Sequence, residues 1–303
     1  MNSSLSEVFL RASRRVAGLM LPILLSVGLI GAPAAHGATG SFRTTDGIEL
    51  VYEEHGSGST LVFVPGWGMP GSAWRQQVNA FKGRHRVIVL DPRSQGHSQV
   101  TSDGMYTERR AKDIAELMDH VGVRRTILIG WSMGVKEVLS YQQQFGSGRL
   151  AGLVLVDGMV GAGSAELLPG AFAWARGLLT NQGEWSRAFV GSMFCGAPDA
   201  ALRDQLLTSS LRMPPVAGFA LLADYATTDM SKVLQSVDVP VLYFGTHAME
   251  SQLSLVRTVR PSAQVIEQAG CHVFFAEQPD AFNDVLQRFI EAIGADRDAS
   301  HSQ

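Results

Sequence analysis

The chain has 303 residues with a formal net charge of -3, and 46% of its side chains are apolar while 17% are charged. This length and composition can bury a sizeable core, and one large domain is as plausible as two small ones. Because there is no basic field, we expect no nucleic-acid partner.

The amino-terminal segment differs from the rest of the chain. Arg11, Arg14 and Arg15 precede the apolar stretch VAGLMLPILLSVGLI, which leads to the small residues of GAPAAHGA. A positive region, an apolar region of secretory length and a small-residue cleavage site are typical of a signal peptide. We predict that residues 1–37 are a signal peptide, and that the protein is exported to the periplasm or secreted. We expect no stable membrane association after cleavage; a retained anchor is the alternative.

Beyond the signal, short apolar segments alternate with segments of helical periodicity. The dipeptide Asp46-Gly47 predicts a hairpin turn between two strands. Buried strands are predicted at TLVFVPG, HRVIVLD, TILIG, LAGLVLVD, VPVLYFG and AQVIEQAG. Helices lie between most of them, and a last helix is predicted at PDAFNDVLQRFIEAIG. The alternation predicts an α/β fold with a mostly parallel, twisted sheet and helices on both of its faces.

Residues 158–231 break this alternation with a long, apolar and predominantly helical stretch. We predict that it is a helical cap inserted after the sixth strand, and that residues 40–157 and 232–293 form the core. Residues 294–303 are predicted to be a disordered tail. The cap supplies large apolar side chains as candidate substrate contacts, namely Trp174, Trp185, Phe189 and Phe194.

The stretch GWSMG, residues 130–134, places a serine between two glycines, directly after a predicted strand and before a predicted helix. A sharp strand-to-helix turn of this kind presents the serine at the carboxyl edge of a sheet, and the glycines relieve crowding. In a chain with 32 glycines the five letters alone are a weak signal. The strand–turn–helix context makes Ser132 a candidate nucleophile.

A second motif competes with the first. GWGMPG, residues 66–71, follows a strand, and Asp91 ends the next strand, which together match the dinucleotide-binding fingerprint. A dinucleotide-dependent oxidoreductase is therefore an alternative. Against it, Pro70 removes a backbone donor where pyrophosphate needs one, and a hairpin precedes this strand.

His272 is the candidate base. In hydrolases with a GxSxG turn the residues run in the order serine, acid, histidine, so only His247 and His272 qualify among the histidines. His272 follows the last predicted strand, where its loop reaches the carboxyl edge of the sheet.

These stretches together resemble the α/β-hydrolase family over residues 42–293. VFVPGWGMPGSAW, VIVLDPRSQGHS, LIGWSMG and AGCHVFFAEQPDAFN match successive landmarks of that family in order. The chain is similar above all to the cofactor-free non-haem chloroperoxidase and arylesterase group and to carboxylesterases near it. It departs from the family pattern in PGWG, which replaces the usual His-Gly, in Ser94 and in Cys271, both of which replace glycines.

The resemblance implies a serine hydrolase that cleaves an ester-type bond through an acyl-enzyme. From the predicted signal peptide and the apolar cap we expect it to be exported and its substrate to be a hydrophobic small molecule. The oxyanion donors would be the backbone N–H groups of Met133 and Trp67, and Trp67 would also contact substrate. The family's usual position for the acid, three residues after Gly245, is Ala248. We therefore predict Asp157, at the end of LAGLVLVD, as the acid, with Glu250 as the alternative.

We expect no metal, because the sequence has no metal-ligand spacing. The resemblance to a cofactor-free group implies that no organic cofactor is needed either. A non-catalytic, hydrolase-like binding protein remains a further alternative, since fold alone does not fix function. The two cysteines, Cys195 and Cys271, could pair in an oxidising compartment, but sequence alone does not decide whether they do.

Overall fold

The computed structural model describes residues 37–166, 168–196 and 199–300. The strands are β1 (Ala38–Arg43), β2 (Glu49–His55), β3 (Ser59–Val64), β4 (His85–Asp91), β5 (Thr126–Trp131), β6 (Leu150–Val156), β7 (Val241–Thr246) and β8 (Gln264–Gln268). The helices are α1 (Arg75–Phe81), α2 (Thr107–His120), α3 (Gly134–Phe145), α4 (Leu168–Ala175), α5 (Gly177–Thr180), α6 (Gln182–Gly191), α7 (Ala200–Arg212), α8 (Pro215–Thr227), α9 (Ser231–Ser236), α10 (Glu250–Val259), α11 (Phe274–Glu277) and α12 (Pro279–Ser300).

All eight strands form one sheet in the order β1-β2-β4-β3-β5-β6-β7-β8. The first two pairings, β1 with β2 and β2 with β4, are antiparallel, and every later pairing is parallel. The β1–β2 connection turns at Gly47, whose φ of 85° is a conformation that glycine adopts without a steric penalty. The predicted mostly parallel sheet is confirmed.

Apolar helix faces cover the sheet on both sides. On one side α2, α3 and α10 bury Ile114, Val138 and Leu253 against the sheet. On the other side α1 and α12 bury Phe81 and Phe282. The central strands β5 and β6 are buried along their whole length, which explains why they are runs of apolar residues without alternation.

Helices α4 to α9 occupy the stretch between β6 and β7. Leu178, Trp185 and Leu221 from α5, α6 and α8 form a small core together with Trp67 and Met133 from the sheet's loops. This agrees with the prediction of helices inserted after the sixth strand. Within the described part of the chain no single helix is long and apolar enough to cross a membrane; α7 and α8 reach that length and composition only as a pair bent by 101°.

The structure links Cys195 and Cys271 by a disulfide, with a Cα–Cα distance of 5.2 Å. Cys195 follows α6, and Cys271 directly precedes His272. The backbone N–H of Val273 also donates to the carbonyl of Met193 at 3.2 Å. Within the described residues, the insertion is therefore linked by one covalent bond and one hydrogen bond to the loop at residues 269–273, here called the histidine loop.

α12 continues to Ser300, so a helix covers most of the stretch 294–303 that the sequence predicts to be a disordered tail. Gly294 is a lone glycine that costs a helix only about 1 kcal/mol, and no proline follows it. The predicted signal peptide at 1–37 lies, except for its last residue, outside the described residues, as do residues 301–303.

Candidate active site

Ser132 stands in the turn between β5 and α3 with a φ of 56°, a left-handed conformation that is unusual for a residue with a side chain. Its N–H donates to Val156 at 2.8 Å. A Cβ atom on Gly130 would lie 2.3 Å from the carbonyl oxygen of Gly134. A Cβ atom on Gly134 would lie 2.8 Å from the carbonyl oxygen of Val64. The two glycines of GWSMG are thus required by close backbone contacts, and the strained turn they permit is typical of a functional site.

Asp157 follows β6 and also has a left-handed backbone, with a φ of 46°. One carboxylate oxygen, Oδ1, accepts the Thr246 N–H at 2.7 Å, and the other, Oδ2, lies 2.6 Å from Nδ1 of His272. Asp157 is 1% exposed. The carboxylate is therefore held by β7 on one side and faces the histidine on the other.

His272 lies beside the turn between β5 and α3 that carries Ser132. The indole of Trp131 donates from Nε1 to the carbonyl of His272 at 3.0 Å, and the two rings lie 5.2 Å apart between centroids. Trp131 precedes Ser132 directly, so this contact brings the loop that carries His272 to the turn that carries Ser132. With Asp157 on Nδ1, the remaining ring nitrogen, Nε2, is left to accept a proton.

Glu250, the alternative acid, is the exposed first residue of α10. The other candidate histidine, His247, has a side chain that is 86% exposed and lies 3.8 Å from Glu267. The N–H of Thr246 that precedes this loop is directed at Asp157 instead. The structure therefore brings His272 together with Asp157 and leaves Glu250 outside that pair.

Two backbone donors lie near Ser132. Among the described residues, the N–H groups of Trp67 and Met133 have no protein acceptor. Met133 follows Ser132, and a Cβ atom on Gly66 would lie 2.8 Å from Cβ of Ser132, so the loop carrying Trp67 passes close to Ser132. The Trp67 ring packs edge-on against Trp185 at 5.1 Å, and its Nε1 donates to Gly218 at 3.0 Å.

An apolar cavity of about 210 Å³ opens above Ser132. Of the predicted substrate contacts, Trp67, Trp174 and Phe189 line it. A larger cavity of about 380 Å³ at the start of β3 and β5 is at the opposite edge of the sheet from Ser132.

Trp185 and Phe194, which were also predicted to bind substrate, do not line this cavity. Trp185 is 6% exposed, stacks on Phe189 at 4.9 Å, and donates from Nε1 to the carbonyl of Trp174. Phe194 packs against the core cluster on the α12 side of the sheet. Trp185 therefore belongs to the small core of the insertion, and Phe194 packs against the core beneath the sheet.

Several lining residues carry no signal in the sequence, among them Met159, Phe172, Leu222 and Tyr225. The hydroxyl of Tyr225 accepts the Met159 N–H at 2.8 Å, and burial raises the pKa of Tyr225. Met159 lies two residues after Asp157, which is the one hint that the sequence offers. The others could be assigned to the cavity only once the helix faces were known.

Lys136 of α3 is fully buried and contacts the carboxyl end of α8. Its ammonium group donates to the carbonyls of Tyr225 and Thr228 and lies 4.7 Å above the centre of the Tyr225 ring. Burial lowers the pKa of Lys136 to about 8, although Asp229 and Asp224 oppose the shift. The residue anchors the end of a helix that lines the cavity.

Asp91 of the dinucleotide-like fingerprint is used inside the fold. Its carboxylate accepts the Gly71 N–H at 2.6 Å and the His97 N–H at 2.8 Å, and a Cβ atom on Gly96 would collide with it. Burial raises the pKa of Asp91, while these two N–H groups oppose the shift. This carboxylate is not free to bind a ribose, so the GWGMPG loop has a structural partner instead. No cluster of three or more metal-binding side chains occurs within the described ranges.

Comparisons with known proteins identify the family of the chain and several of its relatives. The model of the alpha/beta hydrolase family matches residues 61–285. A non-heme chloroperoxidase from Kitasatospora aureofaciens is 28% identical over 245 residues, covering 76% of this chain and 88% of that protein. A pimeloyl-(acyl-carrier protein) methyl ester esterase from Vibrio atlanticus is 26% identical, covering 80% of this chain and 98% of that protein. The crystal structure of a bromoperoxidase from Bacillus anthracis matches with a TM-score of 0.77 at 21% identity, covering 84% of this chain and all of that one, a likeness of fold alone.

Proposed function

The chain belongs to the α/β-hydrolase family, and on that premise we propose that it is a serine hydrolase that cleaves ester-type bonds in small, uncharged, apolar substrates. The observation that carries the proposal is the contact of 2.6 Å between His272 and Asp157 beside the strained turn of Ser132. One relative, which aligns with 80% of this chain and 98% of its own length, is named as an esterase, and this supports the same reaction class.

The mechanism follows from this geometry. Asp157 accepts a hydrogen bond from Nδ1 of His272 and leaves Nε2 free to take the Ser132 proton as the hydroxyl attacks a carbonyl. The N–H groups of Met133 and Trp67 stabilise the oxyanion, and His272 then protonates the leaving group. Water, activated by the same histidine, releases the acyl group from Ser132.

The cavity supports an uncharged, apolar acyl or alcohol group. No charged side chain is among the described residues that line it, and its walls include Phe172, Trp174 and Phe189. A carboxylate in this cavity would be desolvated without a partner, at a cost of several kcal/mol. We therefore expect kcat/KM for p-nitrophenyl butyrate to exceed that for mono-p-nitrophenyl succinate by about 10² or more.

The experiment that tests the function compares wild type, Ser132→Ala and Ser140→Ala with p-nitrophenyl esters and a fluorophosphonate. Ser140 is a buried serine of α3, the helix that follows Ser132, and it does not line the cavity. Ser132→Ala is expected to lose about 10⁶ in kcat and all labelling, while Ser140→Ala keeps both. Wild type without turnover or labelling would favour the binding-protein alternative, and saturable NAD(H) binding would favour the oxidoreductase.

We propose, in addition, that the protein acts outside the cytoplasm. The arginines and apolar run at residues 11–30 support export, and the Cys195–Cys271 disulfide suits an oxidising compartment. Amino-terminal sequencing of exported protein is expected to start near residue 38. An intact Met1 on a membrane-bound form would contradict this and favour an anchor.

A further inference from the structure

The side chain of Gln95 uses its full hydrogen-bonding capacity on one loop and one arginine. Its Nε2 donates to the carbonyls of Gly66 at 3.0 Å and Met69 at 2.7 Å. Its Oε1 accepts the N–H of Gly68 at 3.0 Å and a guanidinium N–H of Arg110 at 3.1 Å. Gln95 is fully buried, so none of these bonds is exchanged for water.

The loop that Gln95 holds is the turn at residues 66–69. This turn is closed by the N–H of Met69 donating to Gly66 at 3.2 Å, and Trp67 lies inside it. Because Gln95 bonds both ends of the turn and the intervening Gly68, the peptide that carries the Trp67 N–H has little freedom to rotate. This peptide is the one that approaches Ser132 through Gly66.

Behind Gln95 stands a buried ion pair. Arg110 of α2, which binds Gln95, also donates from Nε to the carboxylate of Glu137 at 2.5 Å, and both side chains are 1% exposed. Glu137 belongs to α3, the helix that begins directly after Met133. Glu137, Arg110 and Gln95 therefore connect two elements of the site. One is α3, which follows the proposed oxyanion donor Met133, and the other is the loop that carries Trp67, the second proposed donor.

We propose that Gln95 is a positioning residue, which orients the Trp67 N–H toward the oxyanion formed on Ser132, with Arg110 and Glu137 holding Gln95 in place. This inference rests on the function proposed above. Gln95 does not touch the reacting atoms and acts through the loop. Because a misplacement of about 1 Å in such a donor can cost about 10² in rate, the effect belongs to kcat and not to substrate binding.

The test uses Gln95→Met, which keeps the length of the side chain and removes all four hydrogen bonds, and Gln95→Glu, which keeps the acceptor and removes the donor. The matched control is Gln142→Met, on a buried glutamine of α3 whose partner is Ser147. For each variant, kcat and KM are measured with p-nitrophenyl butyrate, together with inhibition by phenylboronic acid, which forms a tetrahedral adduct on the serine.

We expect both Gln95 variants to lose about 10- to 100-fold in kcat with KM within about threefold of wild type. Affinity for phenylboronic acid is expected to fall by a similar factor, and the control is expected to keep all three values. The proposal would be overturned if kcat were unchanged in a folded Gln95 variant, or if KM changed while boronate affinity did not. Gln95→Glu provides the folded case if Gln95→Met is unstable, since its carboxylate keeps Arg110 as a partner. Failure of the wild type to turn over ester would count against the proposed function itself.

Discussion

The pairing of His272 with Asp157 makes the sharpest prediction for a single residue. Asp157→Asn is expected to lower kcat by about 10⁴, because the amide no longer stabilises the imidazolium or selects its tautomer. Glu250→Gln is the matched control and is expected to keep wild-type activity, since Glu250 is exposed at the start of α10. Steady-state kinetics of both variants with one ester show which carboxylate is the acid. The reverse pattern would move the acid to Glu250.

Ser94 makes a second prediction at this scale. Its φ is 63°, at a position where the family resemblance leads one to expect glycine. The hydroxyl compensates for this conformation, because it donates to the carbonyl of Thr101 at 2.7 Å and accepts the Thr101 N–H at 2.9 Å.

Ser94→Ala keeps the left-handed backbone and loses both hydrogen bonds, so it is expected to lower the free energy of unfolding by about 1–3 kcal/mol. Ser94→Gly loses the same bonds but gains about 1 kcal/mol from the relaxed backbone, so it is expected to be the more stable of the two. Urea unfolding of both variants checks the order. Equal stabilities would show that the left-handed conformation costs nothing here.

Sequence reasoning predicted individual site residues from the positions at which the strands end. Ser132, Asp157 and His272 each follow a strand at the carboxyl edge of the sheet, and that rule depends on chain order alone. That rule does not distinguish Trp174 from Trp185 in the insertion. Trp174 lines the cavity while Trp185 packs behind it, and which helix face turns inward depends on tertiary contacts.

Among the elements, α3 and α8 are joined by Lys136, and this contact predicts a pH dependence. The folded lysine releases its proton near pH 8, whereas an unfolded lysine does so near its ordinary pKa of 10.5. Between these values the unfolded state binds more protons, so rising pH favours the folded state. The contribution of Lys136 to the free energy of unfolding should therefore grow from pH 8 upward.

We expect wild type to gain about 2 kcal/mol of stability relative to Lys136→Met as the pH rises from 8 to about 10. The matched control is Lys112→Met on α2, where the lysine side chain is 46% exposed, and no such pH-dependent difference is expected there. Urea unfolding at several pH values provides the measurement. A difference that shrinks with rising pH would contradict the low pKa of Lys136.

The disulfide connects α6 to the histidine loop across a sequence separation of 76 residues. Removing such a constraint from the unfolded chain is expected to lower the free energy of unfolding by about 2–4 kcal/mol in the Cys195→Ser, Cys271→Ser double variant. Treating wild type with a reductant should reproduce this loss and leave the double variant unaffected. Equal melting temperatures with and without reductant in wild type would contradict the prediction.

For the molecule as a whole, the fold was predictable because its central strands are short apolar runs separated by helical segments. TLVFVPG and TILIG could be assigned to a parallel sheet without any tertiary information. The first strand and the end of the last helix were harder to predict. β1 begins at Ala38, within a small-residue stretch of low strand propensity, and it is a strand because it pairs with β2 from Ala38 opposite Glu54. Likewise, α12 extends through polar residues that composition alone suggested were a tail.

The same Cys195–Cys271 bond also determines what a protease can release. It closes a covalent ring that contains α7 to α10 together with β7 and β8, which is about half of the insertion and one edge of the sheet. A single cut at any peptide bond between residues 196 and 270 would leave the two fragments joined. A nicked molecule would therefore run as one species on a non-reducing gel and separate only after reduction. The histidine at the ring's closure would stay attached to both halves of the cleaved protein.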